Sequence, residues 1–118
     1  MLARESGTLV VPLPVATEVD HILGRRGGRV ARLAFLDDLA AERFLVECLT
    51  AAELTVVAAL ERQYSDLDVG LADLSLVVLA DRLGTDRIAT FDHRDFRVLR
   101  RLDGGTFRLL PQDALAVE

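Results

Sequence analysis

The chain has 118 residues, 51% of them apolar and 28% charged, enough apolar surface for one packed domain over 1–118 and too much for a disordered segment. Its one cysteine, Cys48, excludes an intrachain disulfide and a cysteine-rich zinc site. Fourteen basic side chains, all arginine, against nineteen acidic ones give a net charge of -5, which argues against a protein held to nucleic acid by bulk charge alone. The first residues, Met1-Leu2-Ala3-Arg4-Glu5, are not a basic stretch leading into an apolar one, and the apolar runs are short and interrupted by charge. The expectation is a cytoplasmic domain with no membrane span.

Leu9-Val10-Val11-Pro12-Leu13 reads as a short buried strand with Pro12 at its end, because proline is awkward within a ladder. Pro14 suits the first turn of a helix over about 15–23, with Val15, Val19 and Ile22 as its stripe and Gly24 and Gly27-Gly28 breaking it. A second helix is expected over 30–41. Val30, Leu33, Ala34 and Ala41 lie near one face of it, broadened by Phe35, Leu36 and Leu39. Phe44-Leu45-Val46-Glu47-Cys48-Leu49 is a second strand, and Thr50-Ala51-Ala52-Glu53 is a capping box opening a helix to about Tyr64. After a polar loop over 65–70, a helix over 71–83 ends at Gly84. Strands follow over 87–91 and 106–110, the second stopped by Pro111 ahead of a frayed tail. This alternation of short apolar strands with helices is the mark of an α/β domain, a parallel sheet covered on both faces. No glycine-rich dinucleotide or phosphate-loop fingerprint occurs.

Ligands of such a domain collect at the carboxyl ends of its strands. Asp92 directly follows the strand over 87–91, Asp73 lies in the first turn of its helix, and Glu18 stands in or beside the stripe of Val15, Val19 and Ile22. Hard divalent cations take this ligand type. Each position has a plainer use. Asp73 could stabilise its helix terminus, Glu18 could face solvent, and Asp92 could cap the turn after it. Asp95 could pair with Arg94 or Arg97.

The stretch over 68–96, DVGLADLSLVVLADRLGTDRIATFDHRDF, resembles the C-terminal half of a PIN domain, in particular that of VapC-type toxin ribonucleases. Asp73 opens a helix, and Thr90, Asp92, Asp95 and Phe96 form the element after the next strand. Val11-Pro12-Leu13-Pro14-Val15-Ala16-Thr17-Glu18-Val19 is similar to the family's second strand and the helix carrying its second acidic residue, which maps onto Glu18. The resemblance covers about 9–111. It implies a three-layer α/β/α fold and a metal-dependent ribonuclease, with Glu18, Asp73 and Asp92 around Mg2+ or Mn2+, Asp95 adjacent, and Thr90 fixing a carboxylate or a water. RNA as substrate, a cognate antitoxin, and a possible homodimer follow from the same resemblance. His21 and His93 have no part in that scheme. Arg94, Arg97, Arg100 and Arg101, four arginines within eight residues, are the candidate phosphate-binding rim.

The family's first strand, central in its sheet and ending on an aspartate, has no counterpart here; residues 1–7 resemble only the tail of the helical region after it. The expectation is therefore a sheet with a vacancy between the strands at Leu9 and Ile88, and a chain short of one metal ligand. A start assigned too late, a truncated gene and a degenerate family member all account for that pattern. The rival function is an inactive PIN-like module kept for protein interaction or antitoxin binding. A receiver-like phosphotransfer domain would need a lysine near its site, and the chain has none.

Overall fold

Leu9-Val10-Val11-Pro12 shows how the layers arise. Successive strand residues face opposite ways, and here both directions are apolar and fully covered. Val10 belongs to one core and Val11 to another, so this strand is sandwiched between helices. The computed structural model describes residues 1–3, 8–89 and 94–110. Its elements in chain order are β1 (Leu2–Ala3), β2 (Leu9–Pro12), α1 (Leu13–Arg26), α2 (Gly28–Ala40), β3 (Phe44–Glu47), α3 (Ala51–Gln63), α4 (Gly70–Leu83), β4 (Arg87–Ala89), α5 (Arg94–Val98) and β5 (Arg108–Leu110). Pro111 and the tail expected after it lie outside the described residues.

The sheet has the order β3-β2-β1-β4-β5. β2 pairs parallel with β3, and β4 parallel with β5. Between the two pairs stands β1, antiparallel to both neighbours, with Leu2 opposite Val10 and Ile88. β2, β3, β4 and β5 therefore all run one way, as expected, but the sheet is mixed rather than purely parallel. The expected vacancy is filled by Leu2–Ala3. The physical reason is backbone satisfaction: the facing amides and carbonyls of β2 and β4 would otherwise be buried without partners. Leu2 is fully buried there, and the Thr85 hydroxyl donates to the Ala3 carbonyl at 2.7 Å, fastening β1 to the entry of β4.

The larger core lies between the sheet and α3, α4 and α5, and takes in Leu2, Val10, Val57, Leu60, Ile88 and Phe96. Seven consecutive residues of α4, from Leu74 to Ala80, are buried, so this helix is enclosed on all sides rather than amphipathic. Phe96 of α5 meets Phe107 edge-on at 6.2 Å between ring centroids, joining α5 to the entry of β5. On the opposite face Val11, Ala16 and Phe35 form the smaller core, with Val15, Val19, Leu23 and Leu39 packed against it. The arrangement is that expected of a PIN-like α/β/α fold.

Two sequence expectations about the helices are corrected. Gly24 does not break α1; the helix runs on to Arg26, and the space beside Gly24 is taken by the Arg32 guanidinium reaching over from α2. In α2 the residues buried against the sheet are Phe35 and, partly, Leu39, whereas Val30, Leu33, Ala34 and Ala41 are exposed. Apolar residues lie all round this helix, so periodicity could not select a face. Phe35 does so by its size, meeting Phe44 of β3 at 6.3 Å between centroids. Local signals held better. The Thr50 hydroxyl accepts from the Glu53 amide and the Glu53 carboxylate accepts from the Thr50 amide, a complete capping box. Gly84 ends α4 with φ of 66°, a conformation that favours glycine. No described helix is long and apolar enough to cross a membrane.

Candidate functional site

The turn from β2 into α1 is built by two prolines. Pro12 has the extended backbone of an N-cap residue, and Pro14 occupies the first helical turn, where its missing N–H costs nothing. One turn further, Thr17 is already occupied, its hydroxyl donating to the Leu13 carbonyl at 3.0 Å. Glu18 follows and is exposed. The buried side of α1 is set by Ala16, with Val15, Val19 and Leu23 half-buried, so Glu18 stands beside the apolar stripe and not within it.

Across from Glu18 lies the start of α4. Gly70, with φ of 71°, takes the left-handed backbone that lets the chain turn from Val69 into the helix. Val69, Gly70, Leu71 and Ala72 form one wall of a cleft of about 570 Å³, and Leu13, Pro14, Thr17 and Glu18 form the other. Asp73 is the acidic residue in that first turn of α4, next in sequence to the cleft-lining Ala72, and is half-buried. Helix termini of this kind favour a negative charge, which is the local reason an aspartate is tolerated there.

The remaining acidic candidates come after β4. Thr90 and Asp92 lie outside the described residues, as does His93. Asp95 and Arg94 fall in α5 by their backbone, and nothing further is described of their side chains. Of the four positions from which a cation site was expected, Glu18 and Asp73 are thus placed on the two helices that flank one cleft. Among the described residues no three His, Cys, Asp or Glu side chains are grouped as a metal site. His21 is exposed on α1.

The arginines are placed unequally. Arg97 is exposed on α5. Arg100 is turned back on the end of that helix, its Nη1 donating to the carbonyls of Arg97 at 2.8 Å and Val98 at 3.1 Å. Arg101 stands 3.6 Å from an Asp103 carboxylate oxygen. Sequence reasoning passed over Tyr64, Gly70 and Thr17. Gly70 carried a usable signal, a glycine directly before an apolar helical run; Tyr64 and Thr17 carried none that separates them from ordinary helix residues.

No protein-family model matches the chain. Over 103 residues it is 40% identical to Ribonuclease VapC26 of Mycobacterium tuberculosis (strain ATCC 25618 / H37Rv), a match spanning 87% of this chain and 76% of that protein.

Proposed function

The chain belongs to the family of VapC-type PIN-domain ribonucleases, and from that premise we propose that it is a metal-dependent endoribonuclease of single-stranded RNA, the toxin of a toxin–antitoxin pair. The observation that carries this reading is the cleft in which Glu18 of α1 faces the turn that opens into Asp73 of α4. A cognate antitoxin and a second copy of the chain are the partners this family membership supports.

The donor chemistry suits a hard cation. The described residues lining the cleft include neither Cys nor His, and the acidic groups beside it are carboxylates. Glu18, Asp73 and Asp92 would hold Mg2+ or Mn2+, with Asp95 adjacent and Thr90 fixing a carboxylate or a water through its hydroxyl. Such an ion, when bound, lowers the pKa of a water and neutralises charge developing on a phosphodiester. The protein's own contribution is placement. α4 is buried along half its length and α1 is anchored through Ala16, so the two helices hold their carboxylates at a separation that packing sets. Leu13 and Leu71, both about half exposed at the cleft, give the bases of a bound strand apolar surface at its mouth.

The test is cleavage of a single-stranded RNA in magnesium and in manganese, alongside calorimetric titration with Mn2+. Cutting that stops in EDTA, and is abolished with Mn2+ binding weakened in Asp73→Asn of unchanged fold, is the expected result. Cutting that survives both EDTA and Asp73→Asn overturns the mechanism. Absence of both Mn2+ binding and cutting would point to the inactive interaction module instead.

A further inference from the structure

We propose that the pocket between the end of α3 and the 100–104 turn is a nucleobase pocket, which takes one unpaired base of the RNA beside the cleavage cleft. The inference rests on the ribonuclease reading above and assigns it a specificity site. The pocket encloses about 260 Å³ between Leu60, Gln63 and Tyr64 on one side and Arg100, Arg101 and Gly104 on the other. At ~30 Å³ per water that is roughly the volume of eight or nine waters, room for a planar heterocycle with its sugar outside.

Its walls are fixed. Tyr64 packs against the main core, and its hydroxyl accepts from the Arg100 backbone N–H at 3.2 Å, so the ring is held at both ends. The turn opposite is closed by Arg101 N–H to the Gly105 carbonyl, Gly104 N–H to the Arg101 carbonyl, and Gly105 N–H to the Asp103 carboxylate, each at 2.8 Å. A ring braced in this way is a stacking platform, and unstacked bases of single-stranded RNA are recognised by stacking on aromatic rings and guanidinium planes.

Guanidinium donors that are already engaged favour a base over a phosphate. Arg100 is turned onto carbonyls at the end of α5, and Arg101 is part-neutralised by Asp103 at 3.6 Å. Beyond Asp103, no other polar partner of the Arg101 side chain occurs among the described residues. The pocket therefore offers an aromatic ring and, in Arg101, a planar set of donors part-neutralised by Asp103. Such donors fit a base with neighbouring acceptors on one edge, as O6 and N7 of guanine are.

Position ties the pocket to the cleft. Residues 64–70 connect Tyr64 directly to Gly70, a wall of the cleft. The five-residue α5 (Arg94–Val98), about 7 Å long at ~1.5 Å per residue, leads into Arg100.

The experiment measures binding of a short fluorescein-labelled single-stranded RNA to the whole chain in EDTA, with a series in which one nucleotide at a time is made abasic. One abasic position should weaken binding by about tenfold, the scale of one stacked base. Tyr64→Leu and Arg101→Met should each lose about that factor on intact RNA and become indifferent to that position, while Tyr64→Phe keeps the wild-type profile. A flat abasic series, or wild-type affinity in both Tyr64→Leu and Arg101→Met, overturns the pocket. Should Tyr64→Leu fail to fold, Arg101→Met on the turn and the wild-type abasic series still decide it. RNA that is cut normally with a flat series removes the pocket alone, whereas a chain that neither binds nor cuts RNA removes the ribonuclease reading and the pocket together.

Discussion

Replacing Glu53 by glutamine removes one negative charge while keeping an oxygen where the α3 cap needs it, since glutamine also completes a capping box. In the wild-type chain the Glu53 carboxylate is gripped by Arg82 of α4 through two bonds, Nη2 at 2.6 Å and Nε at 3.0 Å, while also accepting from the Thr50 amide at 2.9 Å. Arg82 further donates to the Cys48 carbonyl at 2.7 Å and to Glu47 at 3.3 Å, so one side chain joins α4, the end of β3 and the start of α3. The Arg82 fork, followed by the Thr50 amide, lowers the Glu53 carboxyl from 4.5 to about 2. Undiminished, that would correspond to roughly 3 kcal/mol; screening of a pair at the protein surface reduces it to about 1 kcal/mol. Because the folded value is the lower one, this contribution is present in full above 4.5 and is lost as pH falls from there toward 2. Urea unfolding should find Glu53→Gln less stable than wild type by about 1 kcal/mol at neutral pH, the two curves converging in acid. In an Arg82→Met background the same substitution should have little further effect. A gap that persists unchanged into acid, or that Arg82→Met leaves intact, would refute the assignment of this stability to the Arg82 fork.

Ser75 is fully buried in α4, and its hydroxyl has no hydrogen-bond partner among the described residues, so Ser75→Ala should raise the urea midpoint, by about 1 kcal/mol of stability. Gly70→Ala meets open space but a φ of 71°, and denaturation should report a loss of about 1–2 kcal/mol from backbone strain. Arg97→Gln, on an exposed face of α5, should weaken RNA binding evenly across sequences and reduce the salt slope by about 0.7, the share of one phosphate contact on a single strand; Arg100→Gln should instead lower the melting temperature, since its guanidinium caps α5.

What was legible in the sequence was what short-range chemistry decides. Thr50 and Glu53 reach each other across one turn, Gly84 alone accepts the backbone that ends α4, and Pro12 and Pro14 mark the change from strand to helix; all three stand as read. The α/β alternation also survives, because β2, β3, β4 and β5 share one direction. β1 was not legible, since two residues carry no periodicity and their place depends on strands far along the chain. Val30, Leu33 and Ala34 were grouped near one face of α2 and are exposed, because a helix apolar on every side has no preferred face until a bulky neighbour such as Phe44 supplies one. At the candidate site, Asp73 was legible from its place in a helical first turn. Glu18 was read as in or beside the stripe and stands beside it; the misplaced member was Ile22, which is exposed because the stripe turns toward Ala16 and Leu23. The pocket at Tyr64 draws on α3 and the 100–104 turn together, and no local pattern joins them.

A sheet whose middle strand is two residues long is a chain with a weak link. β3 and β2 form one ribbon and β4 and β5 another, and among the described residues the ladder across the middle runs through Leu2 and Ala3. That link closes late in sequence terms, since Ala3 is fastened to Thr85, 82 residues away, and long loops must be ordered before such contacts form. Beside that link, Val10 of one ribbon and Ile88 of the other share the core that takes in the enclosed α4. Opening at β1 would loosen the amides of both ribbons at their facing edges while leaving each ribbon internally paired, so hydrogen exchange in this molecule should fall into two blocks with α4 as the slowest-exchanging element between them.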